Sequence, residues 1–337
     1  MRILIILSLL VASLSAQKRV KVFILAGQSN MEGKAQNKLL EHQATDAKTK
    51  ELFAHLRKDG KWIERDDVMI KYLNRHGKLT IGYGSRDRTG VELQLGHTLG
   101  DHYKEPVLLV KAAWGGHSLY QKFRSPSAGL PPEDKLEEEL KKAEERTKKN
   151  NAKRKKDDPL PTMEDIRNGY GVSWQEMLQE VRGTLENHET LFPSLKGTIP
   201  EIAGFVWFQG WNDQYNGAEI EYASNMEHFI KDVRKEFESP DLPFVIGVMG
   251  QNGSKEAKGA MKVIQEAQIA MEKLPKVKAV RTDALIDKAA EALYPTWKKN
   301  IPEWEKTGSD HGYHYLGSAI WFNRMGKGFA EALLDLQ

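Results

Sequence analysis

The 337-residue chain contains no cysteine. That absence excludes thiol catalysis, disulfide staples and cysteine-ligated metal. A surplus of charge is missing too: 50 Lys and Arg face 47 Asp and Glu, a formal net charge of +3. So even a balance gives no electrostatic footprint for nucleic acid. The apolar run at residues 3–12 is too short to make a comfortable membrane-spanning helix. There is no internal repeat, and no Gly/Ser linker marks a domain boundary.

What is present begins with a leader-like segment. Within residues 1–16, Arg2 supplies a charged start, the apolar run follows, and Ser13, Ser15 and Ala16 are small residues suited to cleavage. Cleavage after Ser15 satisfies the small-x-small pattern better than cleavage after Ala16. The expectation is a secreted or periplasmic protein, free of the membrane once the leader is removed. Residues 17–337 then form the mature domain.

Five short apolar segments read as buried strands: 21–26, 107–112, 204–209, 244–249 and 277–281. Helical patterns lie between and after them, at 93–103, 174–185, 220–238, 257–274 and 316–334. Strands alternating with helices predict an α/β fold with a parallel sheet covered on both faces. Residues 131–161 depart from this pattern. They carry nine acidic and ten basic residues between Glu133 and Asp158. Glu137/Lys141, Glu138/Lys142 and Glu145/Lys149 are spaced four apart, with Glu on the N-terminal side, and Leu136, Leu140 and Ala143 form a narrow apolar stripe. This predicts an inserted, solvated surface helix; a lid or partner-binding arm is the functional alternative.

The first strand ends in Gly27-Gln28-Ser29-Asn30-Met31. Gly27 permits a tight turn, and a serine on a turn at a strand's carboxyl end is a candidate nucleophile. The same pattern also suits an ordinary strand end. Three further clusters share its character: Ala113-Trp114-Gly115-Gly116-His117-Ser118-Leu119, Trp207-Phe208-Gln209-Gly210-Trp211-Asn212-Asp213, and Gly308-Ser309-Asp310-His311-Gly312-Tyr313-His314-Tyr315. In a parallel sheet all strand carboxyl ends lie on one rim, so these clusters are expected to converge. Ester chemistry needs a nucleophile, a base, an orienting acid and donors for the oxyanion. Ser29 supplies the first and a histidine of the last cluster the second. The Ser29 N–H, a glycine N–H of the second cluster and the Gln209 amide are the candidate donors.

These residues resemble the SGNH (GDSL) hydrolase superfamily. More narrowly, they resemble its carbohydrate esterase branch of sialate O-acetylesterase-like and acetylxylan esterase-like proteins. The matching blocks are Gly27–Met31, the paired Gly115 and Gly116, Trp207 to Gly210 with Gln209 in place of the superfamily's Asn, and His314 near the carboxyl end. The resemblance implies a flavodoxin-like three-layer α/β/α sandwich with a central five-stranded parallel sheet. It implies an exported serine esterase that removes acetyl or other short acyl groups from carbohydrate hydroxyls, with no metal or organic cofactor. By the same token Ser29 is the nucleophile, His314 the base, and Ser29, Gly116 and Gln209 form the oxyanion hole. Gln28, Asn30, Gly115, Trp211 and His311 are the expected substrate contacts.

Two departures bear on the chemistry. The family's acid stands three residues before its histidine, but here that position is His311 and Asp310 stands four before. Either the turn is one residue longer and Asp310 orients His314, or a backbone carbonyl holds the imidazole and the site is a Ser-His dyad. Trp211 stands where many relatives carry Glu, and a Trp there suits stacking on a sugar face. Several other residues have structural readings at least as good as functional ones: His117, Trp114, Trp174, Asp213, Asp283 and Glu92. The rival function is a non-catalytic carbohydrate-binding protein on the same scaffold.

Overall fold

A computed structural model describes residues 18–337. The leader-like segment at 1–16 lies outside the described residues. The centre of the fold is a seven-stranded sheet: β1 (Arg19–Gly27), β2 (Val68–Tyr72), β3 (Arg75–Lys78), β4 (Val107–Ala113), β5 (Ile199–Phe208), β6 (Phe244–Val248) and β7 (Val277–Arg281). Their spatial order is β7-β6-β5-β1-β4-β2-β3. All neighbours pair in parallel except the β2–β3 hairpin at one edge. The expected five strands are present, but the sheet is two strands wider because of that hairpin.

Alternation along β1 shows why its apolar run is continuous. Phe23 and Leu25 face one layer, containing α1 (Glu92–His102) and the terminal helix Ala319–Leu334. Val22, Ile24 and Ala26 face the other, where Trp174, Phe229 and Ile264 pack. Those three residues come from α3 (Val172–Glu186), α4 (Tyr222–Glu236) and α5 (Gly259–Ala270). A strand covered on both faces has no solvent side to hold polar residues. The result is a three-layer α/β/α sandwich.

The charged segment forms α2 (Glu133–Arg154), a 22-residue helix. It rests on Leu136 and Ala143, its two buried residues. Glu138 and Lys142 pair at 2.7 Å, whereas Glu137/Lys141 and Glu145/Lys149 form no ion pair. No helix of the described residues is long and apolar enough to cross a membrane.

The strand order reverses at β1: the chain first builds β2, β3 and β4 on one side, then β5, β6 and β7 on the other. Loops leaving β1, β4 and β5 therefore part at a crevice on the carboxyl rim, where open α/β sheets hold their ligands.

Candidate active site

At the end of β1, Gly27 takes φ 154°. A Cβ there would stand 2.2 Å from the Phe208 carbonyl oxygen, so glycine lets the ends of β1 and β5 run close together. The chain then makes a four-residue helical turn, Ser29–Glu32. Ser29 lines an open cleft of about 530 Å3 whose walls include Gly115, Gly116, Trp211, Asn212 and His314. Residues from both ends of the chain thus meet at one spot.

Behind Ser29 the turn is clamped by a buried cation. Lys111 of β4 is fully buried, and its Nζ donates to the Glu32 carbonyl (2.6 Å), the Tyr83 carbonyl (2.8 Å) and Glu92 Oε2 (2.9 Å). Burial pushes the Lys111 ammonium below its ordinary range, against the pull of Glu92 and Glu32. Glu92 is therefore part of an internal ion pair.

The Glu32 side chain faces the second loop. Its Oε1 accepts the Gly115 N–H at 2.6 Å, and its Oε2 accepts from Lys34 Nζ (2.6 Å) and Ser85 Oγ (2.8 Å). Burial acts to raise the Glu32 carboxyl, but Lys34, Ser85 and the Gly115 N–H together hold it below the usual carboxylate range. The Gly115 N–H is thereby committed to Glu32. The N–H groups of Gly116 and Ser29 have no hydrogen-bond partner among the described residues.

The third loop differs from expectation. Gln209 is buried, and its Nε2 donates both protons, to the His117 carbonyl (3.1 Å) and Asp213 Oδ2 (2.5 Å). Its Oε1 accepts from the Tyr222 hydroxyl at 3.1 Å. No donor is left for an oxyanion, and Gln209 does not line the cleft. Asn212 does. Its Oδ1 accepts from Gln28 Nε2 at 3.1 Å, which fixes the amide so that Nδ2 lies on the Gly116 side. Gly210, at φ 153°, starts the short turn Trp211–Gln214 that brings Asn212 there. The sequence reading missed Asn212, although its place two residues past Gly210, in the same loop, was a usable signal.

Gln28 lines the cleft, but its amide also holds that turn: Oε1 faces the Gly210 and Asn212 N–H groups at 3.3 and 3.4 Å. Asn30 is buried outside the cleft wall and donates to the Tyr313 carbonyl at 3.1 Å, tying the Ser29 turn to the histidine segment. It therefore acts as a tether between the two segments. Gly115 and Trp211 line the cleft as expected; His311 does not. Lys34, Tyr215 and Tyr313 line it as well.

Asp213 is fully buried and accepts the Leu119 and Tyr120 N–H groups at 2.9 and 2.7 Å. Burial pushes it up to about 6, against the opposing Gln209 amide and the two N–H groups. It joins the second loop to the third. His117 bonds Ser173 at 2.6 Å, Trp174 is core, and Asp283 pairs with Arg281.

In the last segment, His314 Nδ1 stands 3.1 Å from Asp310 Oδ1. That is ion-pair range, but the ring N–H points off the carboxylate and makes no hydrogen bond. Burial alone would raise the Asp310 carboxyl. Contact with His314, the His311 N–H and Arg88 outweighs it and holds the carboxyl below its ordinary value. The extra residue between acid and histidine is absorbed by a tight loop: Ser309 and Asp310 donate their N–H groups to the Leu316 carbonyl, at 2.8 and 3.0 Å. Three consecutive residues after His314 lie in the left-handed region, Tyr315 (52°), Leu316 (60°) and Gly317 (56°). Such strain costs on the order of 1–3 kcal/mol per non-glycine residue and persists only where the surroundings enforce it. Here Tyr315 is fully buried, and its hydroxyl is fixed by the Gly250 N–H (2.9 Å) and Thr282 Oγ1 (2.8 Å). No cluster of metal-ligating side chains occurs among the described residues.

The model of a carbohydrate esterase family, described as sialic acid-specific acetylesterase, matches residues 19–155 and 163–294. The chain belongs to this family. Ser29, Glu32, Gly115, Gly116 and Asn212 fall inside the matched segments, while Asp310 and His314 lie beyond them. The solved structure of a protein from Arabidopsis thaliana shares the fold. It is 16% identical, the match covers 94% of this chain and 98% of that one, and the TM-score is 0.53. Two other solved structures match: a carbohydrate acetylesterase from Xanthomonas citri (13% identity, 79% and 50% covered, TM-score 0.46) and NanS (12%, 95% and 98%, 0.48). No curated protein matches the chain.

Proposed function

We propose that this family member is a serine esterase that removes acetyl groups from carbohydrate hydroxyls. The observation that carries the reading is that Ser29, Gly116, Asn212 and His314 wall a single cleft. Ser29 Oγ attacks the acetyl carbonyl carbon while His314 Nε2 takes its proton. The oxyanion is held by the N–H groups of Ser29 and Gly116 and by Asn212 Nδ2. His314 returns the proton to the sugar oxygen, which leaves as the alcohol. Water then adds to the acyl-enzyme with His314 again as base, releasing acetate and restoring Ser29. Preorganised donors of this kind contribute roughly 2.7–4 kcal/mol each to the transition state. Asp310 orients the imidazole, after a small ring rotation that brings Nδ1–H into line.

The family to which the chain belongs is described as one of carbohydrate esterases, sialic acid-specific acetylesterases. Trp211 and Tyr313, with ring centroids 5.9 Å apart, give the cleft an aromatic wall suited to a sugar face. Export is part of the proposal and rests on the leader pattern; amino-terminal sequencing of the mature protein tests it.

The deciding experiment is labelling with a fluorophosphonate together with hydrolysis of p-nitrophenyl acetate. The wild-type protein reacts at Ser29, and Ser29→Ala removes both labelling and turnover with an unchanged circular dichroism spectrum. Unchanged turnover in that variant ends the assignment. The off-line Nδ1 of His314 favours one rival, a glycan-binding protein without catalysis. A folded protein that binds glycans and is never labelled would establish it.

A further inference from the structure

The segment from Asp310 to His314 is a wall with two sides. His314 and Tyr313 face the catalytic cleft. Asp310 and His311 face a second cavity of about 370 Å3, whose other walls include Arg88, Trp297, Ile301 and Trp304. A row of rings crosses from one to the other. Trp211 packs on Tyr313 at 5.9 Å, Tyr313 stacks on His311 at 5.3 Å with an interplanar angle of 25°, His311 meets Trp297 at 6.1 Å, and Trp297 meets Trp304 at 5.9 Å. Trp304 at its end is buried in the core, but the rest of the row is not: Tyr313 is 40% exposed and His311 is exposed, with Trp297 half-buried.

The second cavity also holds an unanswered donor. Arg88 lines the cavity with a side chain that is 29% exposed, and its guanidinium approaches Asp310 only to 3.6 Å, beyond hydrogen-bond reach. The accessible guanidinium N–H groups are donors that a ligand oxygen can accept from. An apolar ring surface beside a few convergent polar groups is the ordinary make-up of a ligand site. A pyranose ring offers both counterparts, an apolar face for Trp297 and oxygen acceptors for Arg88.

We infer that this cavity is a subsite for a neighbouring sugar unit of the same glycan whose ester lies over Ser29. The inference rests on the esterase reading for that last clause. The exposed ring row is the path between the two units. The enzyme therefore acts on oligomeric or polymeric glycans in preference to acetylated monosaccharides. It also gives His311 a role that the catalytic cleft does not: it is the stacked stepping-stone between two subsites.

The test compares acetylated tetrasaccharides with the matching acetylated monosaccharides in xylose, mannose, N-acetylglucosamine and sialic acid series. In at least one series the tetramer is expected to exceed the monomer about tenfold or more in kcat/KM, through KM. Trp297→Ala removes that advantage and leaves p-nitrophenyl acetate turnover unchanged. Ile301→Arg, at a position 51% exposed, obstructs the cavity mouth without removing core packing and has the same effect. Equal monomer and tetramer rates in every series overturn the proposal, as does an advantage that survives both variants. Tryptophan fluorescence titrated with the unacetylated tetramers reads the subsite independently of chemistry. If the wild-type protein hydrolyses no ester, a quench that is lost in Trp297→Ala supports the subsite while the esterase reading fails. Absence of both hydrolysis and quench overturns the subsite as well.

Discussion

Glu32 Oε1 accepts the Gly115 N–H at 2.6 Å, so the turn that carries Ser29 directly sets the position of the paired-glycine loop. The carboxylate is kept ionised by Lys34, which is itself almost buried. Removing it frees the loop on which the Gly116 N–H is carried. Glu32→Ala is expected to lower kcat by up to about 100-fold, since a small misplacement of a donor is felt strongly in the transition state. KM should change far less. Steady-state kinetics beside a melting curve will separate this from a loss of folding.

Asp310 touches His314 through an imperfectly aligned contact. If it orients the ring during turnover, Asp310→Asn reduces kcat by about 100-fold or more. If the site works as a Ser-His dyad, the variant keeps activity within about threefold. The depressed Asp310 carboxyl also bears on stability, with a definite sign. Its contribution is complete above the unfolded carboxylate value of 3.8 and disappears as pH falls through the lower folded value. Acid titration of the variant beside the wild-type protein will show that loss reduced.

The oxyanion donor of the third loop can be assigned by substitution. Asn212→Ala is expected to cost about 100- to 1000-fold in kcat. Gln209→Ala leaves Asp213 without its amide partner and the Tyr222 hydroxyl with the residue 209 backbone carbonyl as its remaining acceptor, so its main effect should be a lower melting temperature. The reverse outcome would return Gln209 to the oxyanion hole.

That exchange of roles shows where sequence reasoning stopped. Which amide of Gln209 and Asn212 reaches the cleft depends on the turn started by Gly210. Residue order does not encode that rotation. The central strands were legible because burial on both faces leaves runs such as 22–26 free of polar breaks. β2 and β3 were not, since Lys71 interrupts the first and β3 is the short polar stretch Arg75–Lys78. Their hairpin also turns on Leu73 at φ 52°, where glycine or asparagine would have signalled it. Asp310 was legible as a candidate, but the loop that folds it back on His314 depends on hydrogen bonds from Ser309 and Asp310 to the Leu316 carbonyl.

His97 supplies a pH dependence outside the cleft. It is buried in α1, its Nε2 has no partner, and burial together with Arg65 lowers it to about 4. The unfolded chain binds a proton near 6.5 that the folded one refuses until about 4. Stability is therefore full above pH 6.5 and declines as pH drops toward 4. The decline attributable to this group is about 3 kcal/mol. His97→Phe should flatten the melting temperature between pH 6.5 and 4; an unchanged slope would mean that another group is responsible.

Lys111 binds backbone or side-chain oxygens from three separate stretches of chain, at Glu32, Tyr83 and Glu92, and sits 4.7 Å from the Tyr72 ring centre. An ammonium stripped of water cannot release one of these oxygens without exposing itself to a heavy desolvation penalty. The segments it gathers must consequently loosen together or not at all. Such a knot makes the geometry of the Ser29 turn a property of the resting protein, set before any ligand arrives.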